Sequence, residues 1–262
     1  MTQHPTVATT TIEPTIGFGI DIGGSGVKGA PVDLRTGTFT AERMRIKTPQ
    51  PSTPEAVAEV VKEILDHFSW DGPYGVTVPA VVQHGVARTA ANIDKAWIDT
   101  DVDALFEKHT GRNSYVVNDA DAAGLAEVRF GAAKDQPGLV IVTTLGTGIG
   151  SALVHEGVLI PNSELGHLEV DGHDAETRAA SSVKENEGLS YKQWAHRLNK
   201  YYAALEAVLW PDLFVVGGGV SKDAAKFIPL LDIRTKIVPA MLMNNAGIVG
   251  AAVLSTERSE DS

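Results

Sequence analysis

Asp21-Ile22-Gly23-Gly24-Ser25-Gly26-Val27-Lys28-Gly29 follows the alternating run Ile16-Gly17-Phe18-Gly19-Ile20, a pattern that predicts a buried strand carrying Asp21 and a cluster of glycines into a tight turn. Glycine has no Cβ, so backbone N–H groups in such a turn can approach phosphate oxygens closely. A carboxylate just before the turn is a hard oxygen ligand suited to Mg²⁺, directly or through water. Asp21, Gly23, Gly24, Ser25 and Gly26 are therefore candidates for a phosphate grip, with Asp21 as its metal post. Lys28 is close enough in sequence to help hold phosphate, and equally suits a solvated strand position.

Gly24 to Gly29 also fits G-x-G-x-x-G, the dinucleotide fingerprint, but that motif requires a helix to open at its last glycine. Val27-Lys28-Gly29-Ala30-Pro31-Val32-Asp33-Leu34 contains a proline and alternates weakly, which predicts a second strand returning from a hairpin instead. The same plan recurs downstream. Val140-Ile141-Val142-Thr143-Thr144-Leu145-Gly146-Thr147-Gly148-Ile149-Gly150 again reads as strand, glycine and hydroxyl turn, strand. Aligning Asp21-Ile22-Gly23-Gly24 with Thr144-Leu145-Gly146-Thr147 superposes the turns and their flanking strands, so Thr144, Gly146, Thr147 and Gly148 join the phosphate-binding candidates. Two such hairpins facing each other resemble the plan of the actin, hexokinase and Hsp70 group, a two-domain α/β (ribonuclease H-like) fold with an interdomain cleft.

At 262 residues and 43% hydrophobic content the chain can bury one large core or two modest ones, and the duplicated hairpin favours two. The expected division is a mobile segment 1–14, a small domain over 15–117 completed by a C-terminal helix at about 246–254, and a large domain over 118–245. No apolar run approaches the roughly 18 residues of a membrane span, and the N-terminus lacks the pattern of a signal peptide. The absence of cysteine excludes disulfides and thiolate metal sites and fits a soluble cytoplasmic enzyme. A net charge of −11 argues against non-specific nucleic-acid binding, so any polyanionic substrate needs a local basic groove. Lys184, Lys192, Arg197, Lys200, Lys222 and Lys226 are available for one, without the sequence showing that they share a face.

Along the chain, Arg43-Met44-Arg45-Ile46-Lys47 alternates like a strand. Thr53 followed by Pro54 and the apolar positions Val57, Val60, Val61, Ile64 and Leu65 then signals an amphipathic helix. Asn92, in a small-residue loop, can offer a sugar hydroxyl both a donor and an acceptor, or simply cap a turn. Tyr115-Val116-Val117 runs into Asn118-Asp119-Ala120-Asp121 at a strand-to-helix corner, which holds more polar groups than a helix cap uses. At the mouth of a cleft facing two phosphate turns, the Asp119 carboxylate is placed to accept a proton from an attacking alcohol. Glu164 and His167 are three apart, so one helical turn brings both to one side. A carboxylate beside a neutral imidazole can divide vicinal hydroxyls between acceptor and donor. Ser190 to Trp210 has helical spacing with aromatic core positions, and Gly217, Gly218 and Gly219 after the strand Leu213–Val216 suit close approach of a phosphate donor before an Ala-rich helix.

Taken together, Asp21-Ile22-Gly23-Gly24, Asn118-Asp119, Leu145-Gly146-Thr147-Gly148-Ile149-Gly150, Glu164-Leu165-Gly166-His167 and Val216-Gly217-Gly218-Gly219-Val220-Ser221 resemble, in order and spacing, the ROK family of sugar kinases over Gly17 to Ala252. Within it the chain looks most like the branch using polyphosphate as well as ATP, on the form of Pro161 to Gly172 and the ending Ile237 to Ala251. The resemblance implies phosphorylation of the 6-hydroxyl of glucose, with mannose as a further candidate acceptor, by ATP or inorganic polyphosphate with Mg²⁺, in a homodimer. It implies Asp119 as general base, and Asn92, Asn118, Asp119, Glu164 and His167 as sugar contacts. Many ROK members bind zinc through the counterpart of His167 and a downstream cysteine cluster, which is missing here, so zinc is not expected. The family's further sugar-binding glutamate then falls on Glu176 or Glu169. A kinase for another sugar, such as fructose or N-acetylmannosamine, shares every phosphate motif. A non-catalytic sugar-binding regulator of the same family carries a DNA-binding module, for which the residues before Gly17 are too few.

Overall fold

The structure, a computed structural model, describes residues 15–260; the segment 1–14, expected to be mobile, lies outside them. Strand β1 (Ile16–Gly23) returns as β2 (Gly26–Asp33) with Asp21 opposite Lys28 and Gly23 opposite Gly26, so the turn is only Gly24-Ser25. Short strands β3 (Thr38–Phe39) and β4 (Met44–Ile46) line the outer edge of β2. They pair at Val32–Asp33 and Val27–Gly29, and Pro31 falls between them, where its missing N–H interrupts neither ladder. Helix α1 (Pro54–His67) starts where Thr53 and Pro54 predict, with Thr53 Oγ1 accepting from the Ala56 N–H at 3.3 Å.

Strand β5 (Tyr74–Val78) lies parallel to β1, followed by the hairpin β6 (Val82–Gln83) and β7 (Val86–Ala87), helix α2 (Val102–Thr110) and β8 (Ser114–Asn118), parallel to β5. After helix α3 (Asp119–Phe130) the pattern repeats. Strands β9 (Leu139–Leu145), β10 (Ile149–His155) and β11 (Val158–Ile160) form an antiparallel meander. Next come the small ribbon β12 (Glu169–Val170) and β13 (His173–Asp174), short helices α4 (Glu176–Ala179) and α5 (Ser181–Asn186), and the long helix α6 (Tyr191–Leu209). Strands β14 (Leu213–Gly217) and β15 (Lys236–Pro239) add in parallel beside β9, and α7 (Ala246–Glu260) closes the chain.

The two sheets have one topology, β3-β2-β1-β5-β8 and β11-β10-β9-β14-β15. Each buries a core of its own, the first against α1 and α2, the second against α6 through Trp194, Tyr201 and Tyr202. Trp210 departs from the expected aromatic core: at the end of α6 it is 68% exposed, under the Arg234 guanidinium.

The helix ending each half packs on the other half. Helix α3 follows the first sheet but lies on β9 and β10, whereas α7 follows the second and lies on β1 and β5, the two helices packing together. Glycine permits this closeness: a Cβ on Gly19 or Gly75 would collide with the backbone carbonyls of Ile248 and Ala251. Two local expectations are corrected. The C-terminal helix, expected to end at about 254, continues to Glu260, with Glu257 paired to Arg129 of α3 at 2.5 Å. The Ala-rich segment after Gly218 is a 3₁₀ helix, Gly219–Lys226, not an α-helix. Among the described residues no helix is long and apolar enough to cross a membrane.

Candidate active site

Strands β5, β8, β9 and β14 all end at one cleft, a cavity of about 520 Å³ lined by residues of both halves. Ligands in open α/β sheets bind at this carboxyl edge, where strand ends free their loops. Asn92, Asn118, Asp119, Glu164, His167 and Glu176 all line it. So do Thr144, Gly146, Thr147, Gly148 and Gly218. Glu169, the other candidate glutamate, sits in β12 and is not part of the wall.

Asp119 opens α3. The preceding Asn118 caps that helix, its Oδ1 accepting from the N–H groups of Ala120 at 2.8 Å and Asp121 at 3.1 Å, while its Nδ2 donates to Ala80 O at 2.9 Å. Only one Asn118 amide hydrogen is left for a ligand. Asp119 keeps an exposed face toward the cleft, yet it sits deep enough among protein atoms that desolvation, then the Asp21 charge, push its carboxyl up to about 7. Asp121, one residue from the corner, is buried. Its Oδ2 accepts from Asn162 N–H at 2.7 Å, while its Oδ1 has no partner among the described residues. Burial pushes its carboxyl to about 7 as well.

The opposite wall is built by the 3₁₀ turn Leu165–His167, which brings Glu164 Oε2 to 3.8 Å from His167 Nε2. His167 Nδ1 lies 2.8 Å from Asp174 Oδ2, and this hydrogen bond raises the imidazole pKa. An imidazole that donates from Nδ1 to a carboxylate leaves Nε2 as an acceptor. Desolvation raises the Glu164 carboxyl, and Glu176 adds to the rise. Glu176 Oε2 accepts from Ile149 N–H at 3.0 Å; a Cβ at Gly148 would run into that oxygen and push the carboxylate off the Ile149 N–H. Within the turn the Gly146 N–H is used on Gly148 O at 3.0 Å. The N–H groups of Thr147 and Gly148 have no acceptor among the described residues.

The first turn stands beside this cavity, not in its wall: Asp21, Gly23, Gly24, Ser25, Gly26, Lys28, Gly217 and Gly219 are outside its lining. Gly24 faces the backbone of Asn92, whose φ of 60° is a conformation asparagine tolerates. Asp21 is held on both oxygens, Oδ2 by Lys28 Nζ at 2.9 Å and Oδ1 by Thr77 Oγ1 at 3.0 Å. Arg45 Nη2 donates to Ser25 O at 2.9 Å, so the basic strand reaches the turn tip. His167, Asp174 and Glu176 are the described residues with donor atoms grouped closely enough for a metal ion, all within 4.8 Å of one another. Thr77 and Asp174 carry no motif in the sequence. The alternation of His173 and Asp174 on either side of a strand is the one signal that points at the second.

Two like sheets, each an antiparallel hairpin extended by parallel strands and both ending at one cleft, make this an actin/hexokinase-like fold. The ROK family model matches residues 17–185. The polyphosphate glucokinase of Mycobacterium tuberculosis (strain CDC 1551 / Oshkosh) is 56% identical over 240 residues, 91% of each chain, and that of Mycobacterium leprae (strain TN) is 53% identical over 241 residues, covering 92% of this chain and 74% of the relative. The crystal structure of the inorganic polyphosphate/ATP-glucomannokinase of Arthrobacter sp. strain KM superposes with a TM-score of 0.88 at 51% identity, over 93% of this chain and 99% of that one. The chain belongs to the ROK family.

Proposed function

We propose that this protein is a glucokinase, transferring a phosphoryl group from inorganic polyphosphate or ATP to the 6-hydroxyl of glucose, with mannose as a second acceptor. The observation that carries this reading is the single cavity holding Asp119, the Glu164, His167 and Glu176 wall and the Gly146–Gly148 turn. The kinship with polyphosphate glucokinases over 91% of the chain, and with a polyphosphate/ATP-glucomannokinase at 51% identity, supports that acceptor and those donors.

In this reading Glu164, Glu176, His167 and Asn92 hold the sugar hydroxyls, and Asp119 takes the proton of the attacking hydroxyl. A carboxyl near 7 is close to balanced between holding and releasing that proton at neutral pH. The N–H groups of Thr147 and Gly148 and the turn at Gly218 face the donor's transferring end, giving charge stabilisation from groups fixed before reaction. The residues around Asp21 fit Mg²⁺: a hard carboxylate whose charge already raises Asp119 is a place where a divalent cation relieves repulsion. Asp21, whose oxygens already meet Lys28 and Thr77, would be the residue that holds the ion. When bound, Mg²⁺ supplies neutralisation of the donor phosphates. We assign 15–117 with α7 and 118–245 to two domains that close over the sugar.

The test is formation of glucose 6-phosphate by the purified protein with Mg²⁺, comparing ATP with long-chain polyphosphate as sole donor. Activity with both is expected. Activity with ATP alone removes the polyphosphate assignment, and silence with both removes the glucokinase reading.

A further inference from the structure

A second cavity, about 280 Å³, lies behind the sugar wall, between the β12–β13 ribbon, α4 and α6. Its walls carry Arg178, Arg197, Lys200, His173 and His196 with one acid, Asp171, in a chain whose net charge is −11. Some of this charge is already paired: Lys200 Nζ meets Asp171 Oδ2 at 2.5 Å, and Arg197 Nη2 meets Glu187 Oε2 at 2.6 Å. The rest feels its acids only at a distance, His173 and His196 acting on Asp171 and Arg178 on Glu187. Among the described residues the side chains of Arg178, His173 and His196 have no hydrogen-bond or ion-pair partner, so three groups able to donate are left around one hollow.

A second observation is independent of the charge. Tyr201, 1% exposed, is also part of the lining, and its buried hydroxyl has no hydrogen-bond partner among the described residues. Nearly all buried hydroxyls are satisfied, and leaving one unpaired is unfavourable unless something fills the site. Backbone alternation explains why this cavity is separate from the cleft. In β13, Asp174 turns to His167 whereas His173 turns to the second cavity; in α4, Glu176 faces the cleft and Arg178 the second cavity.

We infer that this cavity is an anion site for a phosphoryl group, bound by Arg178 with His173, His196 and the Tyr201 hydroxyl. Guanidinium geometry matches phosphate oxygens in pairs, and charge-assisted hydrogen bonds of this kind are about twice as strong as neutral ones. The group is either a free phosphate or the end of a phosphate chain, which present the same oxygens. The site stands whether or not the cleft transfers phosphate.

Calorimetric titration of the full chain, without sugar, with inorganic phosphate and separately with tripolyphosphate tests it. Arg178→Gln and Tyr201→Phe are the variants, since the first breaks no side-chain bond and the second keeps the ring. In both variants one class of anion site is expected to weaken, by about tenfold for Arg178→Gln and severalfold for Tyr201→Phe; in anion-free buffer Tm should hold for Arg178→Gln and rise for Tyr201→Phe, which removes an unpaired buried hydroxyl. Loss confined to inorganic phosphate identifies a free-phosphate site. Loss for tripolyphosphate, with a raised KM for long polyphosphate but not for ATP, identifies a chain-end site. Wild-type isotherms for both anions in both variants would overturn the inference.

Discussion

The Asn162 side chain grips the backbone of Val82 from both sides: Val82 N–H donates to Asn162 Oδ1 at 2.9 Å, and Asn162 Nδ2 donates to Val82 O at 2.7 Å. Asn162 lies two residues before Glu164, and its own N–H rests on Asp121. The loop carrying the sugar wall is thereby tied to the first half of the molecule and to the start of α3. Asn162→Gly keeps its φ of 61° accessible and removes the clasp. It orphans two groups of a buried residue, at about 1–3 kcal/mol each. The sugar KM should rise several-fold with a smaller change in kcat, and Tm should fall; an unaltered KM would show that the wall does not depend on the clasp.

Asp119→Asn should lower kcat by about 10²- to 10⁴-fold, the usual worth of a general base, with sugar affinity largely kept. The same variant should be the more heat-stable protein at neutral pH. Between pH 3.8, the ordinary aspartate value, and about 7, the folded chain binds a proton at this site that the unfolded chain has lost, so this group makes stability fall as pH rises through that window. Asparagine removes the effect. Thermal melts should show the variant's advantage growing from pH 4 to pH 7 and level above it.

For the wild type, kcat/KM should climb with pH up to about 7 as Asp119 ionises and then level. Asp121 is raised to a similar value, so the limb needs an assignment. Asp121→Asn keeps an acceptor for the Asn162 N–H and should preserve the limb. A pH profile flattened by Asp121→Asn would transfer the titration to Asp121.

Asp174→Ala removes the acceptor on His167 Nδ1. Because that hydrogen bond raises the imidazole pKa, the His167 titration followed by NMR should move to lower pH in the variant. The sign for stability follows: the pair's contribution is full below the ordinary histidine value and lost as pH rises through the folded one. The sugar KM should increase up to about tenfold. Asp174→Asn, which still accepts a hydrogen bond without the charge, should recover KM but not the titration midpoint.

Gly148→Ala should leave Tm within a few degrees and abolish sugar phosphorylation, since the new methyl displaces Glu176 from the Ile149 N–H. Equilibrium dialysis with labelled glucose separates the cause: binding should be lost together with turnover.

What could be read from the chain was whatever local chemistry carries. Both hairpins follow from period-two alternation and glycine, α1 from Thr53 and Pro54, and the Asn118-Asp119 corner from a strand running into an alanine-rich helix. Glu164 and His167 meet because three residues make one helical turn. Each of these is fixed by neighbours within a few positions, and so survives without knowledge of the fold. The Asn118 cap was equally local, and its hydrogen bonds show how little of its amide remains for a ligand.

The rest depends on partners far away in sequence. The Asn162–Val82 clasp spans 80 residues, and the Thr77 hydroxyl reaches Asp21 across 56. The raised carboxyls of Asp119 and Asp121 come from burial first, with the charge of Glu164, far away in sequence, adding to both. The choice of Glu176 over Glu169 for the cleft, the exchange of α3 and α7 between halves, and the convergence of His173, Arg178 and Tyr201 on a second cavity were all decided by packing. A single sequence encodes which side chains a residue has to offer; only the folded backbone sets which of them face one another.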